Sequence, residues 1–213
     1  MSIHVAADAA GIAAAVKTIA EGGVVVLPTD TVYGFFGDAT NPETVERVYA
    51  IKNRDRGKPF VIHTRTADVQ RWAHLTPSAE TFIEHFWPGP LALVLNKREV
   101  IGDWFTHGLP TVAVMSSRNH VMRGVAEALR VPVFGTTLNY AGETEIKTFA
   151  DAQIFDKDVD LILSGDELSR FDKPSSMIDC TSEPAAVIRL SATGMDELRA
   201  VVPSLALAPE RRK

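Results

Sequence analysis

A short stretch of the chain carries many of the side chains that could bind an anion. Between Lys52 and Arg65 there are five basic side chains and only one acidic side chain, Asp55, although the whole chain has a formal net charge of −5. Dense local cations in an acidic protein are typical of a solvated loop, of a helix end whose dipole they complement, or of a phosphate site. The basic residues are Lys52, Arg54, Arg56, Lys58 and Arg65.

Two further segments combine small, polar or rigid residues beside expected strands. Pro28-Thr29-Asp30-Thr31-Val32-Tyr33-Gly34 follows an apolar run. Its hydroxyls and Asp30 could bind a substrate, or they could bond to neighbouring amides in an Asx or ST turn. Phe86-Trp87-Pro88-Gly89-Pro90-Leu91 is a rigid turn, and a tryptophan in such a turn is more often a packing anchor than a stacking ligand.

The sequence contains none of the common nucleotide-binding or metal-binding signatures. Neither Gly-x-x-x-x-Gly-Lys-Ser/Thr nor Gly-x-Gly-x-x-Gly occurs. The six histidines show no metal-ligand spacing, and one cysteine supplies no thiolate pair. We therefore predict no protein metal site, and we expect any phosphate site to be built from scattered side chains.

The composition is that of an ordinary globular protein, with 213 residues, 46% hydrophobic and 23% charged. No apolar run approaches the roughly 18 residues that a membrane helix needs, and Met1–Asp8 lacks the basic residues of a secretory signal. The single cysteine, Cys180, has no internal disulfide partner, which favours a reducing compartment. We expect a cytoplasmic protein with no membrane partner.

Helical and strand patterns alternate along the chain without the strict rhythm of a β/α barrel. Helices are predicted at Ala10–Gly22, from Asn41-Pro42 onward, from Thr76-Pro77 to about Phe86, and at Asn119–Leu129. Strands are predicted at Val24–Leu27, Pro59–His63, Leu91–Leu95, Thr111–Met115, Val131–Thr137, Val159–Leu163, Met177–Cys180 and Ala185–Leu190. We predict a twisted, mixed α/β sheet flanked by helices in one domain over residues 1–202, followed by a flexible tail over 203–213.

In this order and spacing, the segments resemble the motifs of the YrdC/Sua5/YciO family, the threonylcarbamoyl-AMP synthases and their relatives. The family pattern has Pro-Thr-Asp-Thr-x-Tyr-Gly, then Lys-x-Arg ahead of a Lys-Pro strand, then Trp-Pro-Gly-Pro; residues 28–34, 52–59 and 87–90 match it. The resemblance runs from about Val16 to about Leu198, and the chain looks like the short, single-domain form. It implies a YrdC-like α/β twist fold with a large, concave, positively charged cavity.

The resemblance also implies an activity. Family members condense L-threonine, bicarbonate and ATP to threonylcarbamoyl-AMP and pyrophosphate, a nucleotidyl transfer that supplies the threonylcarbamoyl modification of adenosine 37 in tRNA. Mg²⁺ is expected to be carried by the nucleotide, not by a protein cage. The implied partners are the three substrates and the tRNA threonylcarbamoyl transferase complex, and weak RNA binding is consistent with the family's basic cavity.

The matching motifs assign expected roles to residues of this sequence. Lys52 and Arg54 match Lys-x-Arg and are the expected catalytic residues. The ATP-binding set implied by the resemblance is Lys52, Arg54, Lys58, Thr137, Asn139, Ser175 and Arg189. The implied threonine-binding set is Thr31, His63 and Ser175, while Ser176 and Asp179 align with the same late motif as Ser175.

Several positions depart from the family pattern. The motif Thr-Val-Ala-Val-Arg ends here in Met115, and Arg118 lies three residues further on in a different register. Ala141 stands in place of the second serine of Ser-x-Asn-x-Ser, and Pro174 in place of the acid of Glu-Ser-Thr. These changes affect the acceptor half of the expected cavity more than the phosphate half, so the identity of the acceptor stays open.

Two other functions stay open as well. A relative could adenylate a different carbamate or carbamoyl group, which ATP turnover with carbamoyl phosphate and no threonine would reveal. The chain could instead be an RNA-binding module, although its net charge of −5 opposes strong RNA affinity because phosphate binding scales with cations. A steep salt dependence of tRNA binding would support that function.

Overall fold

The computed structural model describes residues 1–129, 131–165 and 173–207, and within them twelve strands form a single mixed sheet. The strands are β1 Ile3–Ala6, β2 Val25–Leu27, β3 Gly34–Asp38, β4 Val61–His63, β5 Ala73–His74, β6 Leu91–Lys97, β7 Thr111–Met115, β8 Val133–Thr137, β9 Leu161–Ser164, β10 Ser176–Asp179, β11 Ala186–Arg189 and β12 Ala206–Leu207. The α-helices are α1 Ala9–Ala20, α2 Pro42–Lys52, α3 Pro77–Phe86, α4 Asp103–Thr106, α5 His120–Ala128, α6 Phe149–Ala152 and α7 Met195–Val201. Short 3-10 helices occupy Thr66–Arg71 and Gln153–Phe155.

Side-chain caps start the longer helices at the predicted residues. The Asn41 side chain accepts hydrogen bonds from the backbone of Glu43 and Thr44, and Pro42 occupies the first helical position of α2. Thr76 and Asn119 cap α3 and α5 in the same way. The predicted starts of these three helices are therefore confirmed.

The strands follow the order β1-β9-β2-β3-β8-β4-β7-β6-β10-β11-β12 across the sheet, and β5 pairs with β6 beside this path. Both orientations occur within the sheet. For example, β4 runs parallel to β7 and antiparallel to β8, while β2 runs parallel to β9 and antiparallel to β3. The predicted mixed α/β sheet flanked by helices is confirmed.

The two faces of the sheet bury separate apolar clusters. Since successive strand residues point to opposite faces, Val25 and Leu27 pack in the cluster beneath α1 and α5, whereas Val24 and Val26 join the larger cluster on the other face. The larger cluster is covered by α2, α3 and α7. Every second residue of a strand therefore points to the face where α1 and α5 lie. The cleft described below is on that face.

Strand β3 is an element that the sequence patterns do not predict. Its sequence, Gly-Phe-Phe-Gly-Asp, looks like a turn because glycine lowers strand propensity. Tertiary packing requires these glycines: a Cβ at Gly34 would lie 2.8 Å from the Thr136 carbonyl oxygen, and one at Gly37 would lie 2.7 Å from Thr44 Cγ2.

The beginning of the segment predicted as a flexible tail packs against the sheet. Leu205 is buried, and β12 pairs with β11 through Ala206 and Ala186. The rest of that segment, 208–213, lies outside the described residues. Across the described ranges, every helix is too short or too polar to cross a bilayer.

Candidate active site

A cleft with a cavity volume of about 140 Å³ lies where β3, β8 and β4 run side by side. Alternate residues of these strands face it, among them Gly34, Phe36, Gly135 and His63. Among the described residues, its lining contains two arginines, one histidine and several hydroxyls, but no carboxylate. Six of the nine predicted site residues line it: Thr31, Arg54, His63, Thr137, Ser175 and Arg189.

Two arginines from distant parts of the chain converge on this cleft. Arg54 follows α2; its Nε donates to the Lys58 carbonyl oxygen at 2.9 Å, and its guanidinium lies 5.5 Å from the centre of the Phe60 ring. Arg189 ends β11 and donates twice to the Ser175 carbonyl oxygen, at 3.1 and 2.8 Å. Neither guanidinium pairs with a carboxylate in the described part of the chain.

Arg54 lies within the electrostatic influence of Arg189. Partial burial lowers the pKa of Arg54, and the positive charge of Arg189 lowers it further. Like charges oppose the ionised form, so an anion placed between them would relieve the repulsion. The arrangement is suited to a phosphate or carboxylate group.

Of the other basic residues between Lys52 and Arg65, two are paired with carboxylates and one is exposed beside the cleft. Arg56 is paired with Glu46, and Arg65 donates to Asp68 at 2.5 Å. Lys58 is exposed next to Pro59, which lines the cleft. Arg56 and Arg65 therefore form surface ion pairs, and anion binding stays a prediction for the rest of the stretch.

Lys52 and Asn139 do not reach the cleft lining. The Lys52 side chain is 1% exposed, and its Nζ donates to the Thr137 carbonyl oxygen at 2.6 Å, the Asn139 carbonyl oxygen at 2.8 Å and Asn139 Oδ1 at 2.7 Å. Thr137 Oγ1 also donates to Asn139 Oδ1, at 2.9 Å. The structure thus joins Lys52, Thr137 and Asn139 in one hydrogen-bonded group behind the cleft wall.

The segment from Thr29 to Thr31 is held in place by Asp30. Asp30 is buried, and its Oδ2 accepts from Ser117 Oγ at 2.9 Å and from the Arg118 backbone N–H at 2.7 Å. Thr29 Oγ1 accepts from the Thr31 backbone N–H at 3.1 Å, which is the ST turn considered from the sequence. Asp30 therefore positions the loop, and Thr31 is the residue of this motif whose side chain remains half-exposed at the cleft.

His63 and Met115 lie side by side at the same end of the cleft, paired across parallel strands β4 and β7. Burial lowers the pKa of His63 to about 4, so its imidazole is neutral at pH 7. Its Nδ1 is buried and has no hydrogen-bond partner among the described residues. This end of the cleft is thus only weakly polar, and Met115 adds no charge to it.

A second cavity of about 280 Å³ lies on the other side of His63, which lines both spaces. Its wall carries the hydroxyl-bearing residues Thr64, Thr66, Ser116 and Ser117. The space around His63 is therefore larger than the cleft alone.

Several candidate residues from the sequence have structural partners instead. Arg118 lies at the surface, where its Nε approaches the Pro88 carbonyl oxygen at 3.4 Å, and it is not in the cleft lining. Trp87 is buried and donates to the Leu91 carbonyl oxygen, as a packing anchor does. Ser176 bonds to the segment from Ser191 to Thr193, and Asp179 accepts from Thr181.

Sequence reasoning missed two groups that shape the site. Phe60 lines the cleft beneath Arg54, and Ser117 holds Asp30. Phe60 lies directly after the Lys58-Pro59 pair, so its position could have been noticed. Ser117 carries no local signal, because its contact with Asp30 spans 87 residues.

Comparison with known proteins places these features in a family. The model of the Sua5/YciO/YrdC family, described as telomere recombination, matches residues 17–191. The chain belongs to this family. The threonylcarbamoyl-AMP synthase of Pyrococcus abyssi is 31% identical over 194 residues, which are 90% of this chain but 57% of that protein. The chain therefore spans little more than half the length of this relative.

Solved structures of the Sua5/YciO/YrdC family share the fold. Pyrococcus abyssi Sua5 in complex with L-threonine superposes with a TM-score of 0.91 at 29% identity, covering 98% of this chain and 63% of that one. Escherichia coli YciO superposes with a TM-score of 0.83 at 22% identity, covering 93% of this chain and all of the other. The YciO likeness is a likeness of fold.

Proposed function

We propose that the chain is a threonylcarbamoyl-AMP synthase that joins L-threonine, bicarbonate and ATP and releases pyrophosphate. The observation that carries this proposal is the convergence of Arg54 and Arg189 on one cleft, where neither is paired with a carboxylate of the described residues. Family membership and the activity named for the P. abyssi relative support it.

The chemistry explains why such a cleft is needed. The threonine amine first combines with bicarbonate to give a carbamate and water. A carbamate oxygen then attacks the α-phosphorus of ATP, and the bond from that phosphorus to the β-phosphate oxygen breaks, so pyrophosphate leaves. Two anions meet in this step, and Arg54 and Arg189 would offset their repulsion and the charge that develops in the transfer.

The proposed nucleotide end comprises Arg54 and Arg189, the hydroxyls of Thr137 and Ser175, and Lys58 at the rim. Arginine can hold two phosphate oxygens in a planar fork, whereas lysine contributes a point charge. Mg²⁺ would neutralise part of the phosphate charge. The described residues that line the cleft include no carboxylate, which is consistent with Mg²⁺ that is held by phosphate oxygens and water and arrives with the nucleotide.

The proposed acceptor end comprises Thr31, His63 and Ser175. Threonine carbamate is labile, so enclosure and orientation contribute more than a strong base. His63 fits this role, because a neutral, buried imidazole can orient a polar group without competing for a proton. We further propose that the product passes to a tRNA threonylcarbamoyl transferase in the cytoplasm.

The test is pyrophosphate release from MgATP and bicarbonate, measured with and without L-threonine, with L-serine as the related amino acid. The proposal predicts release that depends on both threonine and bicarbonate. Release that is indifferent to any amino acid would overturn it, because the acceptor would then play no part in turnover.

Met115 favours a second candidate, in which the phosphate chemistry is the same but the acceptor differs. Its uncharged side chain lies beside neutral His63, so this end of the cleft offers little to a free carboxylate. An acceptor without a carboxylate, such as a simple carbamoyl group, would suit it. ATP turnover with carbamoyl phosphate and without threonine would establish this candidate and exclude the first.

A further inference from the structure

The ammonium group of Lys52 is the most completely bonded buried cation near the cleft. An ammonium has three N–H donors, and all three are matched here by oxygens at 2.6–2.8 Å: two carbonyl oxygens and one side-chain amide oxygen. The Phe35 ring of β3 lies 5.5 Å away on another side. No donor is left to reach a ligand while these bonds are in place.

These bonds join two elements that are distant in sequence. Lys52 is the last residue of α2, while Thr137 ends β8 and Asn139 lies in the turn that follows it. The Ala141 backbone N–H donates to the Lys52 carbonyl oxygen at 2.8 Å, so the backbone reinforces the same connection. The Thr137 side chain is the part of this group that lines the cleft.

We propose that Lys52 is a positioning residue, which clips the end of α2 to the turn over residues 137–141 and thereby fixes the Thr137 wall of the cleft without touching the phosphates. The assignment of that wall to ATP rests on the proposed function, whereas the clip itself does not. Contact with a phosphate would require the buried Nζ to give up all three of these hydrogen bonds, which is costly.

The charge environment of Lys52 gives the clip a pH dependence. Burial, together with the charge of Arg54 two residues away, lowers the pKa of Lys52 to about 7, although Glu145 opposes the change. A neutral amine has two N–H donors instead of three and serves these oxygens less well. The turn should therefore loosen as the pH rises through about 7.

The experiment is hydrogen exchange of the backbone amides of residues 137–141 in the nucleotide-free chain, together with MgATP affinity. Lys52→Met keeps most of the side-chain volume and removes the ammonium. We expect exchange in the turn to be faster by about tenfold or more, and MgATP binding to weaken as well. After correction for intrinsic rates, wild-type exchange should accelerate above pH 7, while Lys52→Met should not change with pH.

Arg54→Met is the matched control, since it removes a neighbouring cation that lines the cleft. It should weaken MgATP binding and, below pH 7, where Lys52 is largely charged in both proteins, leave exchange at 137–141 at the wild-type rate. Unchanged exchange in Lys52→Met, combined with the same loss of MgATP affinity as Arg54→Met, would overturn the proposal and make Lys52 a phosphate ligand.

Asn139→Ala provides a second route if Lys52→Met does not fold. It removes one of the three acceptors and leaves both carbonyl oxygens, so exchange at 137–141 should be faster than in the wild-type chain. Wild-type exchange in Asn139→Ala would contradict the clip. If the wild-type chain does not bind MgATP but the exchange results hold, the clip stands and the proposed function fails.

Discussion

Arg54 and Arg189 show how much of the proposed chemistry depends on single side chains. The guanidinium of Arg54 donates to the Lys58 carbonyl oxygen, and that of Arg189 donates to the Ser175 carbonyl oxygen. These bonds orient the two side chains. Neither forms an ion pair within the described residues, unlike Arg56, which is paired with Glu46. The contrast between Arg54 and Arg56 therefore separates a specific anion site from a general positive field.

Arg54→Ala should lower MgATP affinity by about tenfold to a hundredfold, because a hydrogen bond to a charged group contributes roughly 1.5–3 kcal/mol. Arg189→Ala should have a similar effect. Isothermal titration calorimetry measures both, and Arg56→Ala serves as the control with wild-type affinity. Equal losses in Arg54→Ala and Arg56→Ala would contradict the assignment of Arg54 to a specific site.

His63 should make stability depend on pH. Its pKa is lowered by burial to about 4 in the folded chain, against about 6.5 when unfolded. The unfolded state therefore binds more protons between these values, and stability is lost as the pH falls from 6.5 to 4, by about 3 kcal/mol. Urea unfolding at several pH values should show this loss, and His63→Gln should lack it. An identical pH slope in the two proteins would contradict a buried, neutral His63.

Met115→Arg tests the acceptor end of the cleft. A guanidinium at the end of β7 would supply the carboxylate partner that Met115 lacks, so we expect the KM for L-threonine to fall by about tenfold. Steady-state pyrophosphate release measures this, with Met115→Leu as a volume control that leaves KM unchanged. A higher KM in Met115→Arg would indicate that the acceptor's charged group binds elsewhere.

At the scale of elements, the site depends on loops that distant elements hold in place. Asp30 joins the loop after β2 to the residues that precede α5, through Ser117 and the Arg118 backbone. Lys52 joins α2 to the turn after β8. Both contacts bury a charged or polar group with its partners, so removing one partner leaves the other unsatisfied.

Asp30→Ala should destabilise the chain by about 1–3 kcal/mol, because the Ser117 hydroxyl and the Arg118 N–H lose their acceptor. Ser117→Ala should cost less, since Asp30 keeps its backbone donor. Chemical unfolding of the two variants compares these losses, and a threonine KM that rises only in Asp30→Ala would place the loop at the acceptor end. Wild-type stability for Asp30→Ala would contradict its positioning role.

Local signals in the sequence account for the elements that were predicted correctly. The caps at Asn41, Thr76 and Asn119 are short-range hydrogen bonds, so their sequence patterns are sufficient. Strand β3 was missed because its glycines are required by contacts with Thr136 and Thr44, which come from other elements.

The same distinction applies to the site residues. Arg54 and Thr31 lie in motifs that the sequence singles out as candidate site segments, and both residues line the cleft. Lys52 lies in the same motif as Arg54, but pairing of β8 with β3 and β4 brings Thr137 and Asn139 back onto it, and no local pattern contains that information. Long-range pairing thus decided which motif residue faces the cleft and which one lies behind it.

On the scale of the whole molecule, one mixed sheet buries apolar clusters on both faces and carries the cleft on the face where α1 and α5 lie. The Sua5/YciO/YrdC match covers residues 17–191, so it includes every residue assigned to the site. The P. abyssi synthase extends well beyond this chain, which aligns with 57% of it. The central claim is therefore that the cleft described here suffices for the chemistry.

The most direct measurement is mass spectrometry of the products formed by this chain from MgATP, L-threonine and ¹³C-bicarbonate. We predict threonylcarbamoyl-AMP that carries one ¹³C atom, formed together with pyrophosphate and lost in Arg54→Ala. ATP consumption without an AMP conjugate that contains both threonine and the label would contradict the proposed function.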